Sequence, residues 1–296
     1  MPHMTANNIS ICYDTLGNPA DPAFLLISGL GSQLIDWPQA FAEKLADEGF
    51  YVIRFDNRDI GLSQYFDEEG VQDMDDVMAG LAQGQKPSSP YLLDDMAADA
   101  AGLLDSLGID KAHIAGMSMG GMIAQLVAAN HPEKCLSMNS IMSTSSRGSL
   151  PPGTPEATAA LTSKPAEDTR EGRAQHAVNN KKVYGSIGYL ASDEDMLKQE
   201  LAKVDRAYHP DGKARQHVAI MASGSRTWLL PKITVPTMVL HGAADPLVLP
   251  VAGKDVADLI PGADYVELDG MGHDIAPGLY QPILDNMVGH ARAHAA

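Results

Sequence analysis

Gly116-Met117-Ser118-Met119-Gly120-Gly121 lies between a short apolar run, Ala112-His113-Ile114-Ala115, and a longer one, Met122 to Ala129, that stops near Asn130 and Pro132. The first run follows a turn at Gly108 and reads as a strand. The second has helical length and stop signals. A bare G-x-S-x-G pentapeptide is weak evidence, and an ordinary glycine-rich turn would also fit it. Strand, sharp turn and helix around the serine make it specific. The turn forces Ser118 into strained backbone geometry and lifts its hydroxyl above a sheet, and the glycines leave room where a side chain would clash. The arrangement predicts a serine nucleophile on an α/β fold.

A serine hydroxyl needs a base to take its proton, and the base needs an acid to fix its tautomer. With an elbow of this kind, the order along the chain is Ser, then Asp or Glu, then His. Of ten histidines, only His241, His273, His290 and His294 follow the strand-like run Pro236 to His241. His290 and His294 belong to the polar end of a helical stretch, and His241 ends the strand itself. His273 sits in the loop Leu268-Asp269-Gly270-Met271-Gly272-His273-Asp274, just after the strand-like Tyr265 to Leu268. Loops at the carboxyl ends of strands carry the site in open α/β sheets. His273 is therefore the expected base. Asp245, in His241-Gly242-Ala243-Ala244-Asp245-Pro246, is the expected acid, although an Asp-Pro turn ahead of a helix also fits. The stretch 137–146 has no carboxylate to compete with it. Two backbone N–H groups should hold the oxyanion. One is Met119, at the start of the helix. The other is Leu30, in the loop Ser28-Gly29-Leu30-Gly31-Ser32, with Gly31 as the neighbouring choice.

With these stretches in place, the chain resembles the α/β-hydrolase fold superfamily, specifically bacterial carboxylesterases and aclacinomycin methylesterase-like enzymes. The resembling segments run from Asn18 to Pro38, from Val52 to Ser63, through the elbow, from Pro236 to Val248 and from Leu259 to Asp274. One departure is Ser28-Gly29, where many relatives carry His-Gly. The resemblance implies a mostly parallel sheet with helices on both faces, and a hydrolase core formed by residues 1–143 and 226–296. Residues 144–225 match weakly and read as a small helical cap. Their linker-like opening, Ser145 to Gly153, is followed by Leu197, Leu201, Val204 and Tyr208 at helical spacing, with Ser192 or Asp193 as N-cap. Gly31, Met117, Met142, Tyr184 and Trp228 are the expected pocket residues, with core filling as the plainer role for each methionine or aromatic.

The remaining features narrow the class. A chain of 296 residues with 45% apolar content can build one large α/β domain with an insertion. A net charge of −17 argues against nucleic acid and anionic membranes as partners, and disfavours strongly anionic substrates unless local charge overrides it. Cys12 and Cys135 do not make a disulfide framework and are expected to be reduced. Lack of an apolar leader or long apolar run leads to the expectation of a cytoplasmic enzyme. No zinc spacing, P-loop or dinucleotide fingerprint is present, so no cofactor or metal is expected. Ile9 to Asp14 reads as an edge strand, and Asp67 to Pro90 as a solvated acidic loop. Asp56 and Arg58 are expected to form a loop-locking ion pair.

The expected activity is hydrolysis of a small alkyl or methyl ester, or of a lactone, through an acyl-enzyme. The alternatives are a cofactor-free perhydrolase of haloperoxidase type, a carbon–carbon bond hydrolase, and a non-catalytic small-molecule receptor. Repeated turnover of a short ester separates an esterase from a receptor, and peroxide-dependent halogenation marks a perhydrolase.

Overall fold

The computed structural model describes residues 1–294. Eight strands form one sheet: β1 (His3–Ala6), β2 (Ile9–Leu16), β3 (Ala23–Ile27), β4 (Tyr51–Phe55), β5 (Ala112–Met117), β6 (Cys135–Ile141), β7 (Thr237–Gly242) and β8 (Asp264–Leu268). Their order across the sheet is β1-β2-β4-β3-β5-β6-β7-β8. β1 and β2 pair antiparallel, as do β2 and β4, and every later pairing is parallel. β2 is thus not the edge. β1 covers it, with His3 opposite Cys12.

The central strands are continuous apolar runs because both faces are covered. All five residues of β3 are buried. Leu25 and Ile27 enter one layer and Phe24 and Leu26 the other, as the two-residue side-chain period requires. Helices α1 (Gln39–Asp47), α2 (Met74–Ala82), α3 (Leu93–Ser106), α4 (Met119–Asn130), α5 (Pro155–Thr162), α6 (Arg170–Tyr184), α7 (Asp193–Arg206), α8 (Pro210–Ser223), α9 (Pro250–Leu259) and α10 (Tyr280–Ala293) complete the chain. α3, α4 and α9 pack one face of the sheet, and α1 and α10 the other. α4 has ten buried residues, from Met119 to Ala128, so it is apolar around most of its circumference.

Four helices, α5 to α8, lie between β6 and β7. Ser192 caps α7 by accepting the Asp195 amide. Asp193, Glu194 and Asp195 fill its first turn, while Lys203 and Arg206 fill its last, matching the helix dipole at both ends. The acidic stretch after residue 67 is not all loop. Asp73 accepts the amides of Asp75 and Asp76 and starts α2, so one of its carboxylates serves as a helix cap. Cys12 and Cys135 are unpaired and buried, and burial pushes their thiols up to about 11 and about 12. Among the described residues, no helix is long and apolar enough to cross a membrane.

Candidate active site

Four loops at the carboxyl ends of β3, β5, β7 and β8 converge above the sheet. They bring Leu30, Ser118, Asp245 and His273 to one end of the molecule. Ser118 sits between β5 and α4 with φ +56° and ψ −119°, a conformation that costs a non-glycine residue on the order of 1–3 kcal/mol. Tight packing maintains it. A Cβ on Gly116 would fall 1.9 Å from the Gly120 carbonyl oxygen, and one on Gly120 would fall 2.2 Å from that of Ile27. The Ser118 amide donates to Ile141 O at 2.9 Å, and Ser143 Oγ donates to Ser118 O at 2.8 Å.

His273 Nε2 lies 3.0 Å from Ser118 Oγ, and His273 Nδ1 lies 2.7 Å from Asp245 Oδ2. The partners fix the tautomer: Nδ1–H donates to the carboxylate, and the bare Nε2 accepts the serine hydroxyl. Asp245 is buried, and its Oδ1 accepts the amides of Leu247 and Val248, each at 2.9 Å. Burial alone would raise its pKa. Electrostatic attraction to the His273 ring, the hydrogen bond from His273 Nδ1–H and the Val248 amide outweigh burial and hold the carboxyl well below the usual range. His241 packs behind it, with Nε2 donating to Val248 O at 2.7 Å. Asp274 does not orient His273. Its Oδ1 accepts from Ser186 N at 2.9 Å and Ser186 Oγ at 2.6 Å, while Ser186 Oγ accepts the Gly272 amide at 2.8 Å. The His273 amide donates to Tyr184 O at 2.7 Å, so the end of α6 holds the histidine loop by its backbone.

The loop after β3 lies against the serine, since a Cβ on Gly29 would be 3.4 Å from Ser118 Cβ. The Gly31 amide is already committed to Gln216 Oε1 at 2.9 Å. The Leu30 and Met119 amides have no acceptor among the described residues. Met119 is the first residue of α4, where amides point out of the helix.

A cavity of about 710 Å³ opens beside this loop. Its wall includes Leu30, Gly31 and Tyr184 from the sequence-derived set, but neither Ser118 nor His273. The Tyr184 ring stands edge-on to His273 with centroids 6.3 Å apart. Three expected pocket residues stand elsewhere. Met117 and Met142 are buried in the core layer that faces α1 and α10. Trp228 is 66% exposed, with Lys232 over its ring at 4.7 Å, and is outside the cavity wall. Its flat face is used by a lysine, on the surface.

The expected Asp56–Arg58 pair does not form either. Arg58 donates to the buried Asp99 of α3, with Nε–Oδ2 at 2.7 Å. Asp56 accepts Arg206 Nη2 of α7 at 2.7 Å and the amides of Leu34 and Leu62 at 2.7 and 2.8 Å. Each charge finds a partner on a helix packed over the loop, contacts that sequence proximity does not reveal. Asp59, Asp67 and His209 bring ligand-type atoms within 4.8 Å of one another. Arg215 Nη2, however, bonds Asp59 at 2.7 Å, Asp67 at 2.8 Å and His209 Nε2 at 3.1 Å, so a guanidinium already stands between the three groups. Gln216, Ser186 and the Asp274 clamp escaped the sequence reading because they lie in, or bind to, the weakly matched segment.

The sequence pattern of the alpha/beta hydrolase fold matches residues 22–276. Rhodomycin D methylesterase of Streptomyces sp. (strain C5) is 27% identical to this chain, with 98% of this chain and 97% of that enzyme covered. The 3-oxoadipate enol-lactonase 2 of Acinetobacter baylyi is 26% identical, with 87% and 84% covered. The crystal structure of an enol-lactonase from Burkholderia xenovorans LB400 superposes with a TM-score of 0.74 at 23% identity, covering 98% of this chain and 100% of the other. The chain belongs to the alpha/beta hydrolase fold family.

Proposed function

We propose that this enzyme hydrolyses a carboxylic ester, a small alkyl or methyl ester or a lactone, through an acyl-enzyme on Ser118. The observation that carries the reading is the continuous hydrogen-bonded chain from Ser118 Oγ through His273 to Asp245. Ser118 Oγ attacks the carbonyl carbon while His273 Nε2 takes its proton. The carbon–oxygen bond to the alcohol then breaks, and Nε2 returns that proton to the leaving oxygen. Water next attacks the acyl carbon, giving a proton to Nε2. The bond to Oγ breaks, the acid leaves, and the proton returns to Ser118. Asp245 stays ionised and steadies the imidazolium. The amides of Leu30 and Met119 stabilise the oxyanion, where each such donor is worth about 10²–10³ in rate.

Residues 144–225 act as the cap in this reading, with Tyr184 and Gly31 bordering the substrate space. The similarity to a methylesterase and an enol-lactonase supports ester or lactone chemistry over the carbon–carbon and peroxide alternatives. Repeated turnover of short p-nitrophenyl esters tests the proposal. Ser118→Ala should lower kcat by about three or more orders of magnitude while the protein stays folded. Near-normal kcat in that variant would overturn the assignment.

A further inference from the structure

The cavity beside the Ser118 loop contains a charge without a counter-charge. Of the carboxylates in its wall, Asp36 is bonded to Lys203 and to the Gln33 amide, and Glu200 to Lys181 and Lys203. Asp73 is occupied with the α2 amides. One buried carboxylate, Glu200, and one half-buried, Asp36, thus face two half-buried lysines, and their charges cancel. Arg173 is paired with Asp168, and Lys164 is exposed at the rim. Lys213 is left over. Its Nζ donates to Leu161 O at 2.9 Å, and among the described residues no carboxylate lies within ion-pair distance. An ammonium has three N–H donors, so two remain without a protein acceptor. Its stem lies against Gly31: a Cβ there would fall 2.8 Å from Lys213 Cγ.

We propose that Lys213 binds a carboxylate carried by the substrate itself, so that the preferred ester is a half-ester of a dicarboxylic acid or the corresponding lactone acid. The inference rests on the ester hydrolase reading above and deepens it. Burial alone depresses the Lys213 pKa, and a bound carboxylate would offset that burial. The position fits the task, because Gly31 follows the proposed oxyanion donor Leu30 and Lys213 packs on Gly31. An acid a few bonds from the scissile carbonyl would then meet the ammonium. The net charge of −17 opposes anions only through surface groups, which salt screens over roughly 8 Å. A direct contact inside the cavity outweighs that repulsion. The bond to Leu161, near the end of α5, also gives Lys213 a role in helix capping, so the test must separate recognition from structure.

The test compares kcat/KM for monomethyl glutarate with that for dimethyl glutarate, nearly the same shape without the charge. The wild-type enzyme should favour the half-ester by about tenfold or more. Lys213→Met should lower that ratio by about tenfold or more, and Lys213→Arg should keep most of it. Loss of structure alone would slow both esters and leave the ratio where it was. If Lys213→Met does not fold, glutarate should still inhibit wild-type turnover of the diester at least tenfold more strongly than uncharged glutaramide does. Turnover of the diester with no preference, no selective inhibition or an unmoved ratio would overturn the carboxylate site alone. Absence of turnover for every ester would instead overturn the ester hydrolase reading.

Discussion

The amide of Gly31 donates to Gln216 Oε1 at 2.9 Å across 185 positions of sequence. Gln216 is fully buried on α8, and its Nε2 donates to Arg58 O at 2.8 Å. One side chain therefore uses up the Gly31 N–H, while that of Leu30 has no acceptor among the described residues. Gln216 also ties α8 to the loop that lies against Ser118.

Gln216→Leu should lower kcat by about tenfold, with a smaller change in KM. It leaves the half-buried Gly31 amide free to turn and strands the buried Arg58 carbonyl, at a cost of about 1–3 kcal/mol. Steady-state kinetics on a short ester beside a thermal melt checks this. A lower melting point with kcat unchanged would make Gln216 a packing residue only.

Tyr184→Ala should change the ratio of kcat/KM between short and long acyl esters, because Tyr184 lines the cavity beside His273. Each gained or lost methylene contact is worth about 1–3 kcal/mol at most. Trp228→Ala should leave that ratio unmoved, since Trp228 faces solvent. A chain-length series on both variants decides the matter. A selectivity change in Trp228→Ala would restore it to the substrate path.

Much of the core was legible because its signals are local. β5 runs from Ala112 to Met117, over the apolar run read as a strand ahead of the serine. Ser118, Asp245 and His273 each follow a strand, and a short motif or chain order suffices to nominate them. What was not legible depends on distant partners. Asp56 and Arg58 stand two apart, yet they bond Arg206 and Asp99. α2 was hidden because its stretch is acidic and buries only Val77. Trp228 misled because a large aromatic suggests a pocket whether it faces a cavity or a lysine.

Stability should fall as pH drops from about 6.5 towards 4. Burial, followed by the charges of His290 and His294, lowers the His113 pKa to about 4. Between that value and the unfolded value of about 6.5, the unfolded chain binds a proton that the folded chain does not. The contribution is thus full above pH 6.5 and is lost on acidification, by about 1 kcal/mol per pH unit. His290 and His217 are shifted the same way. Urea midpoints at pH 4.5, 5.5 and 7 should show this slope, and His113→Leu should flatten part of it. An identical slope in the variant would show that His113 is not held neutral.

Passage of the acyl group through Ser118 is the step on which the proposed hydrolysis depends. Reaction with p-nitrophenyl acetate, rapid acid quench and peptide mass spectrometry locates that group. One acetyl adduct should form, on the peptide carrying Ser118, within the first turnover and be lost with the steady-state rate. His273→Ala should form the adduct far more slowly. An adduct on another residue that forms and decays at the turnover rate would contradict passage through Ser118, as would full turnover in an enzyme whose Ser118 never acquires the acetyl group.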